Sequence, residues 1–174
     1  LTPQTATCTV EVLVIPLNCP PPLTPIKRIG EVQGTGTTSP FVGQSVTVMG
    51  TVTADYQENS ELKGYFLQDQ GDGNTTTSDG IFVYDTTNDV LVGDKVMFEG
   101  TVAEYNGLTE LKVVGEDPGT EICGMPLPMP GVTAISLPQA TATSFEAYEG
   151  MLVNLNQTLT VSQNYFQGRY GQLT

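Results

Sequence analysis

Between Gln68 and Asp85 the chain reads QDQGDGNTTTSDGIFVYD, and four oxygen-bearing side chains, Asp69, Asp72, Asn74 and Asp79, crowd into this stretch. Oxygen donors without nitrogen or sulfur suit a hard cation, and calcium takes six to eight of them in flexible geometry. Gly71, Gly73 and Gly80 would let backbone carbonyls turn inward to complete a shell. The spacing is not that of an EF-hand loop, because the alternating ligand pattern fails and no Glu closes it. The competing reading is a turn, since Asp, Asn and Gly are the residues that build Asx-turns and leave their acids in solvent. Repulsion within so short a loop favours a counter-charge. The expectation is therefore one calcium ion held by Asp69, Asp72, Asn74 and Asp79, with carbonyls and waters filling the remaining positions.

Other chemistries are narrowed by what the 174 residues lack. There is no histidine, which removes a Ser-His-Asp triad, a Cys-His dyad, a histidine base and the usual zinc enzymes. No catalytic residue is expected. The net charge is −13, from 19 acids against six bases, and the bases Lys27, Arg28, Lys63, Lys95, Lys112 and Arg169 are scattered. Nucleic-acid binding draws on phosphate neutralisation by a basic track, so single-stranded nucleic acid is expected to bind weakly at best. What binding there is would use stacking on aromatics, as small barrels do. Tyr65 in GYFLQ and Tyr84 in GIFVY are the candidates. Alternation sets Tyr65 and Leu67 opposite Phe66, and Phe82 and Tyr84 opposite Ile81 and Val83.

Cys8, Cys19 and Cys123 allow three pairings, each leaving one sulfur over. One disulfide in an oxidising, extracellular setting is expected, and the odd cysteine points to a partner outside this stretch of chain. No segment has the length of a membrane-spanning helix. The chain begins at Leu1 rather than methionine, as a mature product or an excised piece would. Asn74-Thr75-Thr76 and Asn156-Gln157-Thr158 match the glycosylation sequon, a match that arises readily in a Thr-rich chain.

The elements that must position these residues read as strands. Only 14% of residues are charged, Thr, Val and Gly recur, and no helical stripe is sustained, which indicates an all-β fold. Successive strands are Val42–Tyr56, Gly64–Gln70, Gly80–Thr86, Val92–Tyr105 and Leu108–Val114, with a hairpin signal at Asn106-Gly107. The first and fourth resemble each other: each opens Val-Gly and carries Gly-Thr-Val before an acid-Tyr pair (Asp55-Tyr56, Glu104-Tyr105). Gly50 and Gly100 inside long strands make sense where a strand bends around a small barrel. Two long bent strands and three short ones are the parts of a five-stranded OB barrel. Residues 1–25 add an apolar strand, VEVLVIPL, and the stiff linker CPPPLTP. Residues 26–116 form the barrel. Residues 117–174 read as a Pro/Gly-rich crossing arm rather than a sheet, then one helical turn near SFEAYEG and a sixth strand over Met151–Ser162.

The segments IGEVQGTGTTSPFVGQSVTVMGTVTADY, GYFLQDQGDGNTTTSDGIFVYD, VGDKVMFEGTVAEYNGLTEL, FEAYEGMLVNL and QTLTVSQNYFQGRYGQLT resemble, in that order, the OB-fold-like region of bacterial extracellular nucleases. The resemblance covers Ile26 to Thr174. It implies a secreted, non-catalytic accessory module preceding a catalytic domain of the endonuclease/exonuclease/phosphatase type, which would be its partner in the full-length protein. The alternative is an extracellular structural subunit whose N-terminal arm adds a strand to a neighbour's sheet edge, building a homo-oligomer or fibre.

Overall fold

The computed structural model describes residues 19–124 and 128–161. Cys8 and the VEVLVIPL segment, on which the strand-addition expectation rests, lie outside the described residues.

Two long strands organise the molecule. The first half of β2 (Ser45–Tyr56) pairs antiparallel with the first half of β5 (Lys95–Tyr105), from Ser45 opposite Thr101 to Thr51 opposite Lys95. Each then leaves the other. The second half of β2 pairs with β3 (Gly64–Gln68), and the second half of β5 pairs with β6 (Leu108–Lys112). One strand serving two neighbours must bend sharply, and the glycines stand where the backbones crowd. A Cβ at Gly50 would lie 2.7 Å from the Gln68 carbonyl oxygen, and one at Gly100 the same 2.7 Å from that of Lys112. A register shift between Val52 and Ala54 adds to the bend.

The ring is completed by β4 (Gly80–Tyr84), antiparallel to β3 and parallel to β6. The order β2-β3-β4-β6-β5, closing back on β2, with one parallel pair, is a closed five-stranded OB-like barrel. The fold is all-β in the expected manner. The Asn106-Gly107 turn between β5 and β6 has both residues at positive φ (53° and 85°), as a two-residue hairpin requires. The repeated Val-Gly motifs are reciprocal partners. Gly43 donates to the Val102 carbonyl (2.8 Å) and Gln44 accepts from Val102 (3.0 Å); Gly93 donates to the Val52 carbonyl (2.9 Å) and Asp94 accepts from Val52 (2.9 Å).

Alternation drives one face of the five barrel strands inward. Val46, Val48, Val52, Tyr65, Leu67, Ile81, Val83, Val96, Phe98, Val102 and Leu111 form one buried cluster. A short helix, α1 (Ile29–Gln33), contributes Ile29 and Val32 to it. Two edge strands extend the sheet: β1 (Ile26–Lys27), parallel to β2, and β7 (Gly119–Ile122), antiparallel to β5. The Pro/Gly-rich stretch after residue 116 is thus not purely a crossing arm. Four of its residues join the barrel sheet, fastened by the Cys123 amide to the Lys95 carbonyl (2.8 Å). Next to them Cys19 and Cys123 form a disulfide, with Cα atoms 4.8 Å apart across 104 residues of sequence. Of the run expected as a sixth strand, Val153–Leu155 is strand (β9), parallel to β8 (Thr133–Ile135) in a separate two-stranded sheet. The expected helical turn is a 3-10 helix, Ala142–Tyr148, with a capping box between Thr141 and Ser144.

Candidate functional site

The inner and outer faces of β3 and β4 settle which aromatics can meet a ligand. Tyr65 faces the core and is 0% exposed. Its hydroxyl pairs with the Thr120 Oγ1 (2.9 Å), which donates to the Asp85 Oδ2. Burial raises the Tyr65 phenol well above its usual range, against the Thr120 hydrogen bond, with Asp85 adding to the rise. Asp85 is pulled the other way: burial would raise its carboxyl, but hydrogen bonds from Thr120, Thr87 and Asn88 hold it below the usual range. Tyr65 therefore cannot stack a base, and the expectation placed on it is corrected. Tyr84 is 42% exposed.

The outer face holds residues that the sequence reading left unplaced. Phe66 stands opposite Phe82 across β3–β4, and Tyr56 and Tyr84 flank Gly64 from β2 and β4. Partners in register share a face, so the two tyrosines stand two strand spacings, about 10 Å, apart on one surface. Between them the Phe82 ring takes the space a side chain on Gly64 would need, with its Cζ 2.6 Å from a notional Cβ there. Phe66 packs edge-on against Tyr56 (centroids 6.2 Å, 88° between planes) and tilted on Phe82 (5.1 Å, 59°). The result is an aromatic row across β2, β3 and β4 with an exposed tyrosine at each end, Tyr56 being 41% exposed, and with Phe82 buried beneath it at 4%. The signal was the alternation itself: Phe82 and Tyr84 share a face, and antiparallel register adds Phe66 and Tyr56 to it.

The segment after the 3-10 helix crosses the same outer face beside this strip. The Ser78 Oγ donates to the Glu149 carbonyl (2.5 Å), Thr109 donates its amide to the Glu149 carboxylate (3.0 Å), and Leu152 donates its amide to Gln68 Oε1 (2.8 Å). Gly80 and Gly150 lie back to back, so that a Cβ on Gly80 would fall 2.4 Å from the Gly150 carbonyl carbon. Between crossing segment and barrel runs a groove of about 280 Å³, lined by Thr53, Ala54, Tyr56, Phe66, Gly150, Met151 and Leu152. Among the described residues no acid or base lines it. On the far side of the strip, Glu110 stands beside Phe82 and Lys112 beside Tyr84. Burial raises the Glu110 carboxyl, Lys112 lowers it and Glu104 raises it.

The Asp-rich loop serves the barrel through its backbone. Asp69 accepts from the Ile29 amide (3.1 Å) and from Gly71 (2.7 Å), Asp72 from Asn74 (2.7 Å), and Asn74 from the amide and hydroxyl of Thr76 (3.1 and 2.7 Å). Three side chains thus accept from the amide two residues on, the Asx-turn pattern. Asp79 differs: its Oδ1 is buried without a hydrogen-bond partner. Burial raises its carboxyl, Asp69 and Asp72 raise it further, and the Asp72 amide and Arg28 charge work against them. Among the described residues no group of three or more His, Cys, Asp or Glu side chains converges as a metal shell.

Fold and face together define a small OB-like barrel with an outward aromatic surface. No family model matches the sequence, and no curated protein matches it. A solved structure similar to part of it is the OB domain of a Thermoplasma acidophilum protein, determined by solution NMR. The two are 19% identical, the match covers 50% of this chain and 82% of that one, and the TM-score is 0.34.

Proposed function

We propose that this chain is a non-catalytic binding module of a secreted, nuclease-like protein, and that it holds an extended chain ligand across Tyr56, Phe66 and Tyr84. One observation carries the reading: Tyr56 and Tyr84 are exposed on the outer face of β2–β3–β4, with Phe66 packed against Tyr56 and the buried Phe82 supporting it from below, on strands of the kind that in OB barrels receive oligonucleotides and oligosaccharides. The lack of histidine supports a binding rather than a catalytic role, and the Cys19–Cys123 disulfide suits an oxidising compartment. The nuclease context rests on the sequence resemblance.

The test is binding of the whole chain to immobilised single-stranded nucleic acid and to polysaccharides, with Tyr84→Ala beside the unaltered protein. One polymer is expected to bind, and Tyr84→Ala to weaken it about tenfold, the worth of one good ring contact. Absence of binding to both classes, or binding indifferent to Tyr84→Ala, would remove the reading.

A further inference from the structure

We propose that the groove between the barrel and the segment Gly150–Leu152 is a subsite for a neutral oligosaccharide, walled by that segment and floored by Tyr56 and Phe66. The proposal rests on the binding-module reading and gives its ligand a chemical class.

The wall is preformed. Three hydrogen bonds, from Ser78, Thr109 and the Leu152 amide, hold the crossing segment on both sides of Gly150. The contact between Gly80 and Gly150 brings backbone against backbone, where neither position has room for a side chain. A site built this way needs little ordering when a ligand enters. Its volume, about 280 Å³, lies near the lower end of ligand clefts, which run from about 300 Å³ upward.

The lining selects against charge. Its polar groups are the Tyr56 and Thr53 hydroxyls and peptide groups. A phosphate or carboxylate placed there would meet no cation among the described lining residues, inside a molecule of net charge −13. Among the described residues the bases near the face lie outside the lining: Lys63 precedes Gly64, between the two tyrosines, and Lys112 stands beside Tyr84. A nucleic acid would lose its phosphate hydration without the counterion release that drives its binding. A neutral sugar chain loses nothing of that kind. Its C–H faces pack on aromatic rings, and its hydroxyls exchange water for hydroxyl and peptide partners.

The experiment is calorimetric titration of the whole chain with neutral hexasaccharides of the cello, chito, malto and xylo series, and with an oligothymidylate. At least one neutral hexasaccharide is expected to bind with a Kd on the order of 10–100 µM, unchanged between low and high salt. Tyr56→Ala and Met151→Ala should each weaken it about tenfold while leaving the melting temperature within a few degrees. Binding of the oligothymidylate alone, falling with salt, would keep the module reading and overturn the sugar subsite. So would sugar binding that Tyr84→Ala abolishes but Tyr56→Ala and Met151→Ala leave intact. Closure of the groove by a second copy, seen as a dimer in sedimentation that Met151→Ala dissociates, would also overturn it. If no hexasaccharide and no oligonucleotide binds, both readings fall together.

Discussion

At the scale of single residues, Asp69 does more than its loop neighbours. Its carboxylate takes amides from α1 and from its own turn, and it is buried. Asp69→Ala leaves both donors short and should cost about 2–3 kcal/mol, whereas the exposed Asp72→Ala should stay within about 0.5 kcal/mol. Urea unfolding separates the two. Calcium is tested on the unaltered protein beside Asp72→Ala: a rise of several degrees in millimolar calcium that Asp72→Ala abolishes would put an ion in the loop, and an unchanged melting curve would leave it as turns. The residue types were plain in the sequence, but their partners were not, because the Ile29 amide that Asp69 caps lies 40 positions away. Tyr65 shows the same limit. Alternation separates two faces of β3 without saying which is inner, and a tyrosine can go inside only because Thr120, 55 residues later, meets its hydroxyl.

At the scale of elements, the long bent strands and the Asn-Gly hairpin were legible, because each rests on a local rule: a glycine where backbones crowd, a positive φ where a two-residue turn needs one. Helix α1 and strands β1, β7 and β8 were not marked as such, and of the expected sixth strand only the three residues of β9 are strand. Each has five residues or fewer, and tertiary contacts rather than periodicity decide their form. The crossing segment adds a pH dependence. Glu149, which binds Thr109 and Gln33, has its carboxyl raised chiefly by burial, with Glu146 and Glu104 adding to the rise against those hydrogen bonds. Glu110 and Asp79 are raised as well. A carboxyl raised in the folded state contributes stability that is complete below its unfolded value and lost as pH climbs through the folded one. Asp85, lowered, contributes above its ordinary 3.8 and loses that only as pH falls through its folded value. The melting temperature should therefore rise as pH falls from neutrality toward the ordinary carboxyl value of 4.5 and fall again only in acid below the ordinary 3.8 of Asp85. Glu149→Gln should reduce the rise, and a melting temperature that drops steadily from pH 7 downward would contradict this assignment.

At the scale of the whole molecule, the Cys19–Cys123 bridge spans 104 positions and encloses the entire barrel. Closing a loop of that length removes about 4–5 kcal/mol of unfolded-chain entropy. Reduction, or Cys19→Ala, should thus lower the melting temperature by on the order of 10 °C at a few degrees per kcal/mol; a shift under about 2 °C would mean that the barrel does not depend on the bridge. The sequence narrowed the pairing to three choices and could go no further, because a sulfur pair is chosen by where β7 docks. The same bridge has a mechanical meaning. A pull applied before Cys19 and after Cys123 travels across the sulfur–sulfur bond and bypasses β2 through β6 altogether. Stretched between its ends, the oxidised molecule would give up only the length lying outside the bridge, and the barrel would hang from the line of force as an unloaded pendant.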